Sequence, residues 1–328
     1  MADLSTRYMG LSLKNPLIAG SSGLTNSVDN IRKISDQGAG AIVLKSLFEE
    51  QIQNSIQSTF AGNAANYGYP EAMDYIANYT HSRDLEQYLA LIREAKKVTD
   101  IPVIASVNCV SSVEWISFAK RIEDAGADGL ELNIFTLPSD PKKGSEDQEK
   151  LYFDIAMSII KQVKIPVAMK ISFYFSGFAN MILKLSWTGI SGIVMFNRYY
   201  SPDIDIEKIE ITSTNVFSYP EEYTLPLRWI ALLSEKLHCD IAASTGVHDG
   251  ATMIKLLLAG AKAVQVTSTL YKHGFEIIPV MLNDLNSWME RHNFAKTSDF
   301  VGKMSYKSAE NPAAYERVQF MKHFSGID

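Results

Sequence analysis

The chain contains 328 residues, of which 46% are apolar and 21% are charged, and its net charge is −6. This composition excludes a disordered chain, and the net charge argues against a protein that binds nucleic acid through its phosphates. The sequence has no apolar run of about 18 residues that would predict a membrane span. It also lacks the pattern of a signal peptide, and two cysteines cannot form a disulfide framework. We therefore expect a cytoplasmic protein that binds neither nucleic acid nor membranes.

Short β-prone runs alternate with helical runs along almost the whole chain. The predicted strands are 16–20, 41–44, 103–107, 129–132, 167–171, 192–196, 241–243 and 263–266, and the predicted helices are 28–38, 85–98, 112–125, 148–163, 178–187, 225–237, 250–258 and 275–291. Most of these strands are continuously apolar, which is typical of parallel strands buried on both faces. Eight strand–helix units predict an α/β fold, a (β/α)8 TIM barrel, as a single domain over residues 1–328. Asp84 is the predicted N-cap of the second helix, and residues 299–328 are predicted to form a C-terminal helical tail.

Two connections are much longer than the others. Residues 46–83 follow the second predicted strand, and residues 198–224 follow the sixth. Both leave the carboxyl ends of strands, where barrels build their active sites, and long loops are usually functional or mobile. We favour a functional role for both loops over surface decoration.

Polar side chains gather where the predicted strands end. In chain order the residues at these ends are Ser21, Ser22, Gly23, Lys45, Ser46, Val107, Asn108, Asn133, Lys170, Asn197, Arg198, Ser244, Thr245, Gly246, Thr267, Ser268 and Thr269. No cluster among them has the spacing of metal ligands, so we predict no metal site. Turns after the last two strands of a barrel commonly hold phosphate, and the small hydroxyl residues there predict a phosphorylated ligand. The alternative is that these small residues only close tight turns.

The amide and cationic groups suggest what the rest of this ligand is. Asparagine both donates and accepts hydrogen bonds, which suits the edge of a flavin or a pyrimidine. Lys170 would neutralise the charge of a reduced flavin. The alternative for Lys45 and Lys170 is a buried ion pair with a carboxylate such as Glu131.

Arg198 has two interpretations, which we weight equally. Its guanidinium can hold a substrate carboxylate through two hydrogen bonds. It can instead pair with an acidic residue of the following loop and stiffen that loop; the candidates are Asp203, Asp205 and Glu207.

Several segments, in this order, resemble the landmarks of dihydroorotate dehydrogenases: 15–23, 45–46, 131–133, Lys170, Asn197, 245–246 and 267–269. The resemblance spans residues 11–305 and is strongest to the soluble, homodimeric class. It implies an FMN cofactor whose phosphate lies at the last two turns, with Lys45 and Lys170 beside the flavin ring and the other strand-end residues around it. It also implies that Asn133 and Asn197 contact a pyrimidine substrate, together with an asparagine of the second loop, which we assign to Asn66.

The chain departs from this family at the residue expected to act as the base. Soluble members carry a cysteine three residues after the asparagine of the fourth strand, where this chain has Thr136. The resemblance implies that hydride leaves C6 of dihydroorotate for the flavin while a base removes the C5 proton. A hydroxyl is a poor base without a relay. We nevertheless assign the base to Thr136, assisted by Lys45.

Three classes of function stay open from the sequence. The first is an FMN-dependent oxidation of dihydroorotate to orotate in pyrimidine biosynthesis, or of a related substrate by a divergent relative. The second is a flavin-free lyase or isomerase that uses the same turns on a sugar phosphate. The third is a non-catalytic FMN-binding subunit that serves a partner protein.

Overall fold

The centre of the fold is a closed barrel of eight parallel strands, and the short strand Leu47–Phe48 adds to the sheet by pairing with Val103–Asn108. The computed structural model describes residues 2–48, 70–108, 114–134, 136–198, 202–213 and 216–316. In chain order, the barrel strands are β1 (Leu17–Ala19), β2 (Ala41–Val43), β3 (Val103–Asn108), β4 (Gly129–Asn133), β5 (Val167–Ile171), β6 (Gly192–Met195), β7 (Asp240–Ala243) and β8 (Ala263–Val266). β8 pairs with β1 and β2 pairs with β3, which closes the ring. The predicted TIM barrel is confirmed.

Helices surround the barrel. They are α1 (Val28–Asp36), α2 (Pro70–Val98), α3 (Glu114–Asp124), α4 (Ser145–Ile160), α5 (Phe178–Ser186), α6 (Thr224–Leu233), α7 (Gly250–Ala259), α8 (Ser268–His273), α9 (Ile277–Arg291) and α10 (Ala313–Glu316). Every residue of β5 is buried, as expected for a strand that has the barrel interior on one face and helices on the other.

One helix begins much earlier than its apolar spacing predicts. α2 begins at Pro70, so Asp84 lies inside the helix and the prediction that it is the N-cap is wrong. Proline is well suited to a first helical position. Neither glycine nor proline follows it before Asp84, so nothing in this stretch of sequence stops a helix. Residues 70–83 of the predicted loop 46–83 are therefore helical.

An N-terminal hairpin that the sequence analysis did not predict closes the bottom of the barrel. Its strands are Thr6–Tyr8 and Leu11–Leu13. Tyr8, Met9 and Leu13 pack against inward-facing residues of the barrel strands. A Cβ on Gly192, the first residue of β6, would lie 2.9 Å from the Tyr8 hydroxyl, so the close fit of this hairpin requires glycine there.

A second hairpin lies in the long connection after β6. Its strands are Pro202–Asp205 and Glu210–Ser213, and Ile204 lies opposite Ile211. These two side chains share one face of the hairpin and are 66% and 78% exposed. This pair, which we call the isoleucine face, is unusual because exposed apolar residues normally occur singly.

The described part of the predicted tail runs from residue 299 to residue 316. It contains α10, and the hydroxyl of Tyr315 donates to the carbonyl of Met304 over 2.6 Å. Residues 317–328 lie outside the described residues, so the single domain over 1–328 stays a prediction. Within the described residues, no helix has both the length and the apolar character that crossing a membrane requires.

Candidate active site

The carboxyl ends of the barrel strands surround a cavity of about 470 Å³. It is lined by Ser21, Ser22, Gly23, Lys45, Ser46, Asn133, Lys170, Asn197, Arg198, Val216, Ser218, Ser244, Thr245, Gly246, Val247, Gln265, Thr267 and Ser268. The structure thus brings together the predicted strand-end residues, except Val107, Asn108 and Thr269. A volume of this size is typical of a site for a small molecule or a cofactor.

Lys170 is the buried cation of this cavity. Its ammonium group donates to Oε1 of Gln265 over 2.9 Å, and Nε2 of Gln265 donates to Oε2 of Glu131 over 2.5 Å. Burial lowers the pKa of Lys170, and the negative charge of Glu131 opposes that effect. Lys170 and Glu131 therefore do not form the direct ion pair of the alternative, because the Gln265 amide separates the two charges.

Lys45 is half-buried at the cavity wall. It makes no hydrogen bond or ion pair through its ammonium group with the residues that the structure describes. Its charge therefore faces the cavity without a carboxylate partner from that part of the chain, which suits an anionic ligand or substrate.

Two asparagines meet beside Lys170. Nδ2 of Asn197 donates to Oδ1 of Asn133 over 2.5 Å and lies 3.4 Å from the backbone oxygen of Lys170. The pairing of β4 with β5 sets Asn133 opposite Lys170. This bond uses the oxygen of one amide and the nitrogen of the other. It leaves the Asn133 amino group as a donor and the Asn197 oxygen as an acceptor for a ligand.

Serine hydroxyls form a chain at the opposite wall. The Ser46 amide donates to Oγ of Ser21 over 2.9 Å, and Oγ of Ser46 lies 2.7 Å from Oγ of Ser106. Tyr88 of α2 supports the chain, because its hydroxyl accepts from the Ser106 amide over 2.7 Å. The polar groups of this wall are therefore held in fixed positions.

The turn after β7 has a backbone that other residues rarely adopt. Thr245 and Gly246 have φ angles of +78° and +73°. A Cβ on Gly246 would lie 2.2 Å from the backbone nitrogen of Tyr223. Only glycine fits at this position, so the close approach of the Tyr223 backbone explains why the turn contains Gly246.

Arg198 binds the loop that follows it. Its Nε donates to Oε2 of Glu222 over 3.0 Å, and its Nη1 donates to the carbonyl of Val216 over 2.7 Å. The predicted partners Asp203, Asp205 and Glu207 are wrong: the acidic partner is Glu222, and Asp203 and Asp205 accept hydrogen bonds from backbone amides of the hairpin instead. Glu222 lies in the 3₁₀ turn Pro220–Tyr223 that precedes α6.

Ser218 joins the same loop to the last two turns. Its amide donates to Oγ of Ser268 over 3.0 Å, and its Oγ lies 2.9 Å from Nε2 of His248. Its carbonyl accepts from Lys272 over 3.1 Å. Burial and then the charge of Lys272 lower the pKa of His248.

A sequence model of the family described as dihydroorotate dehydrogenase matches residues 3–289. The chain belongs to the dihydroorotate dehydrogenase family. The enzymes of this family are FMN-dependent oxidoreductases. In the part of the chain that the structure describes, no group of three or more His, Cys, Asp or Glu side chains is placed to hold a metal ion.

Individual relatives share about a quarter of their residues with this dihydroorotate dehydrogenase family member. The catalytic subunit of dihydroorotate dehydrogenase B (NAD(+)) from Thermoplasma volcanium is 26% identical over 92% of this chain and 98% of that protein. The corresponding subunit from Pyrococcus horikoshii is 24% identical over 91% and 97%. The NAD-dependent dihydropyrimidine dehydrogenase subunit PreA from Escherichia coli is 23% identical over 92% of this chain and 76% of that protein.

The cavity residues fit the FMN of this family. Lys170 is a buried ammonium whose described partner is a neutral amide, so it keeps donors for a ligand. Gly246 lines the cavity without a side chain, and a Cβ on Gly20 would lie 2.6 Å from Oγ1 of Thr267, which also lines it. These features leave room and charge for a large anionic cofactor.

Three described residues with a predicted role at the site do not line the cavity. Thr136 is half-buried and lies three positions beyond β4, next to Leu137, which is exposed. Asn108 is half-buried at the end of β3, and Thr269 is buried and donates to the carbonyl of His248 over 3.3 Å. Asn66 lies outside the described residues. The roles assigned to these residues in this dihydroorotate dehydrogenase family member therefore stay predictions.

Four lining residues were missed by the sequence analysis: Val216, Ser218, Val247 and Gln265. Gln265 carries a local signal, because it is a polar residue inside the apolar strand β8. Ser218 carries none, because its position depends on how the long loop folds back over the barrel.

Proposed function

We propose that the protein is an FMN-dependent dihydroorotate dehydrogenase that oxidises dihydroorotate to orotate in pyrimidine biosynthesis. The observation that carries the proposal is the placement of Asn133, Asn197 and Lys170 in one cavity. Paired amides with a free donor and a free acceptor complement the edge of a pyrimidine. A buried ammonium beside them complements a ring that becomes negatively charged.

Each part of the cavity takes a role in this proposal. The turns at 245–246 and 267–268 would hold the FMN phosphate, and Ser21, Ser22 and Ser46 would bind the cofactor from the opposite wall. Bound FMN supplies a hydride acceptor. Lys170 would hold the flavin ring by hydrogen bonding and charge, and Lys45 would orient the substrate beside it.

The substrate contacts come from the asparagines. Asn133 and Asn197 would bind the ring amides, and Asn66 would add a contact from the second loop. Arg198 would hold the substrate carboxylate only by exchanging its present bond to Glu222. Thr136 would take the C5 proton, so the loop that carries it must approach the cavity when substrate binds.

A second candidate substrate is a dihydropyrimidine without a carboxylate. Arg198 is already paired with Glu222. Thr136 stands at the position where the family carries a cysteine as the base. One relative is a dihydropyrimidine dehydrogenase subunit. Because its guanidinium is already paired with a carboxylate, Arg198 is less available to bind a carboxylate of the substrate. The reaction class and the cofactor are the same in both candidates.

Anaerobic mixing of the purified protein with dihydroorotate or dihydrouracil, followed by flavin absorbance, separates these functions. Bleaching by dihydroorotate supports the first candidate, and bleaching by dihydrouracil alone supports the second. A yellow protein that neither substrate bleaches, although dithionite does, indicates a non-catalytic flavin subunit. A colourless protein that releases no FMN on denaturation indicates the flavin-free barrel enzyme and refutes the proposal.

We also propose that the protein is a cytoplasmic homodimer. The resemblance implies a dimer, and the isoleucine face supports it, because a two-stranded hairpin is marginally stable without packing. An apolar face of this kind can pair with its own copy around a twofold axis.

A further inference from the structure

The middle of the barrel contains a buried carboxylate that the proposed reaction does not use. Glu131 is 1% exposed and Gln265 is 2% exposed. The layer below them, towards the N-terminal hairpin, is aliphatic, as is usual inside such barrels. A buried carboxylate is strongly unfavourable unless it is paired. The position of Glu131 therefore requires a compensating interaction, which its contacts identify.

The hydrogen bonds from the cavity to Glu131 can run in only one direction. An ammonium group has donors and no acceptor, so Gln265 must present its oxygen to Lys170. Its amino group must then face Glu131, and the carboxylate accepts. A cation at the cavity is thereby linked to an anion in the barrel core by an amide whose dipole is aligned between them.

Glu131 has no comparable bond elsewhere. Its Oε1 is buried and has no hydrogen-bond partner among the described residues. Its charge does act on its surroundings: after burial, it is a cause of the raised pKa of Tyr8, and it opposes the fall in the pKa of Lys170. The carboxylate is thus placed to act on Lys170 rather than to satisfy backbone groups of the barrel.

We propose that Glu131 and Gln265 are positioning residues that keep the Lys170 ammonium charged and directed into the cavity, and that Glu131 thereby helps to set the reduction potential of the flavin. The flavin part rests on the proposed function. Without Glu131, burial would favour the neutral amine. A neutral Lys170 cannot stabilise the negative charge that the flavin ring gains on reduction, so the reduced cofactor would bind more weakly.

The first test is the flavin midpoint potential of wild type, Glu131→Gln, Lys170→Met and the double variant. Glu131→Gln keeps the size of the side chain. We expect it to weaken binding of reduced relative to oxidised FMN about tenfold, which lowers the potential by about 30 mV. In the Lys170→Met background the same substitution should change the ratio less than about twofold, because Glu131 acts through Lys170. An equal shift in both backgrounds, or a raised potential, overturns the inference.

Two further variants test whether the shift in potential depends on the link from Glu131 through Gln265 to Lys170. Gln265→Leu interrupts the link and should shift the potential in the same direction as Glu131→Gln. Asp128→Asn is the matched control, because it also converts a carboxylate to an amide. Asp128 pairs with Lys96 over 2.7 Å just before β4 begins, away from the cavity. A shift with Asp128→Asn as large as that with Glu131→Gln would contradict a specific role for Glu131.

A readout without flavin separates this inference from the proposed function. Nuclear magnetic resonance of isotope-labelled lysine in flavin-free protein follows the titration of Lys170, identified by its loss in Lys170→Met. Glu131→Gln should reduce the proton affinity of Lys170 at least about tenfold, which is about one pH unit. An unchanged titration overturns the inference even if FMN binds. If the wild type never binds FMN, the proposed function fails, and this titration still decides whether Glu131 keeps Lys170 charged.

Discussion

Asn197 donates a hydrogen bond to the side-chain oxygen of Asn133 over 2.5 Å, although 64 positions separate the two residues in the chain. The bond crosses β5, so it joins the ends of β4 and β6 over the backbone of Lys170. It orients both amides, and through them it sets which donor and which acceptor a ligand meets.

Removing this bond should weaken substrate binding more than cofactor binding. We expect Asn197→Ala to raise the substrate Kd at least about tenfold, because a donor and an acceptor are lost and Asn133 is left unpaired. FMN should stay bound. Titration of the flavin spectrum with orotate measures the effect, and Asn286→Ala on α9 is the control. Unchanged orotate affinity in Asn197→Ala would contradict the assigned role.

Thr136 should matter for proton removal and not for the cofactor. Thr136→Ala is expected to slow anaerobic bleaching by dihydroorotate at least about 100-fold, the scale of general base catalysis, while FMN remains bound. Thr136→Ser keeps the hydroxyl and should retain most of the rate. Stopped-flow absorbance gives the rates, and bleaching at the wild-type rate in Thr136→Ala would remove this residue from the mechanism.

Gly246→Ala should damage the turn after β7 in two ways. The positive φ of +73° costs an alanine about 1 to 2 kcal/mol, and the new Cβ would also collide with the backbone of Tyr223. We expect FMN retention to fall to a small fraction of wild type.

Gly10→Ala is the matched control for this substitution. Gly10 has a φ of +79°, and a Cβ there would meet no atom within 4 Å. This variant should lose stability through backbone strain alone and keep its FMN. Equal loss of FMN from both variants would show that the turn has no special part in holding the cofactor.

Stability should depend on pH through His248. Burial and then Lys272 lower its pKa below the ordinary value of 6.5, so the folded state favours the neutral ring. Above pH 6.5 this histidine is neutral in both states and costs nothing. As pH falls below 6.5, the unfolded chain takes up the proton first and stability is lost, until the folded pKa is passed.

His248→Gln removes this titration and leaves a polar group near Ser218. Thermal unfolding between about pH 5 and pH 8 should show the wild type losing stability relative to the variant only on the acid side. A constant difference across that range would mean that His248 does not carry the effect.

The isoleucine face should be needed for dimerisation. Ile211→Lys places a charge on that face, whereas Thr212→Lys, one position later, places the same charge on the opposite face of the hairpin. We expect the first variant to be a monomer and the second to remain a dimer, as measured by light scattering after gel filtration. A wild type that is monomeric at micromolar concentration would refute the proposed dimer.

The amino-acid sequence by itself determined the barrel and most of its mouth. A continuous apolar run such as 167–171 is buried on both faces only when the strand lies between the barrel interior and a layer of helices. Eight such strands, each followed by a helix, are compatible with few folds other than the (β/α)8 barrel. Once the strands are parallel, their last residues must converge, so Lys170, Asn133 and Asn197 could be assigned to one cavity from the sequence.

The tertiary structure decided which side chains touch. Glu222 rather than Asp203 pairs with Arg198, Gln265 stands between Lys170 and Glu131, and the N-terminal hairpin closes the barrel. The physical reason is that periodicity records whether a residue is buried, which is a local property. A contact between distant residues depends on strand register and on how a loop folds back, and both are set by the packing of the whole barrel.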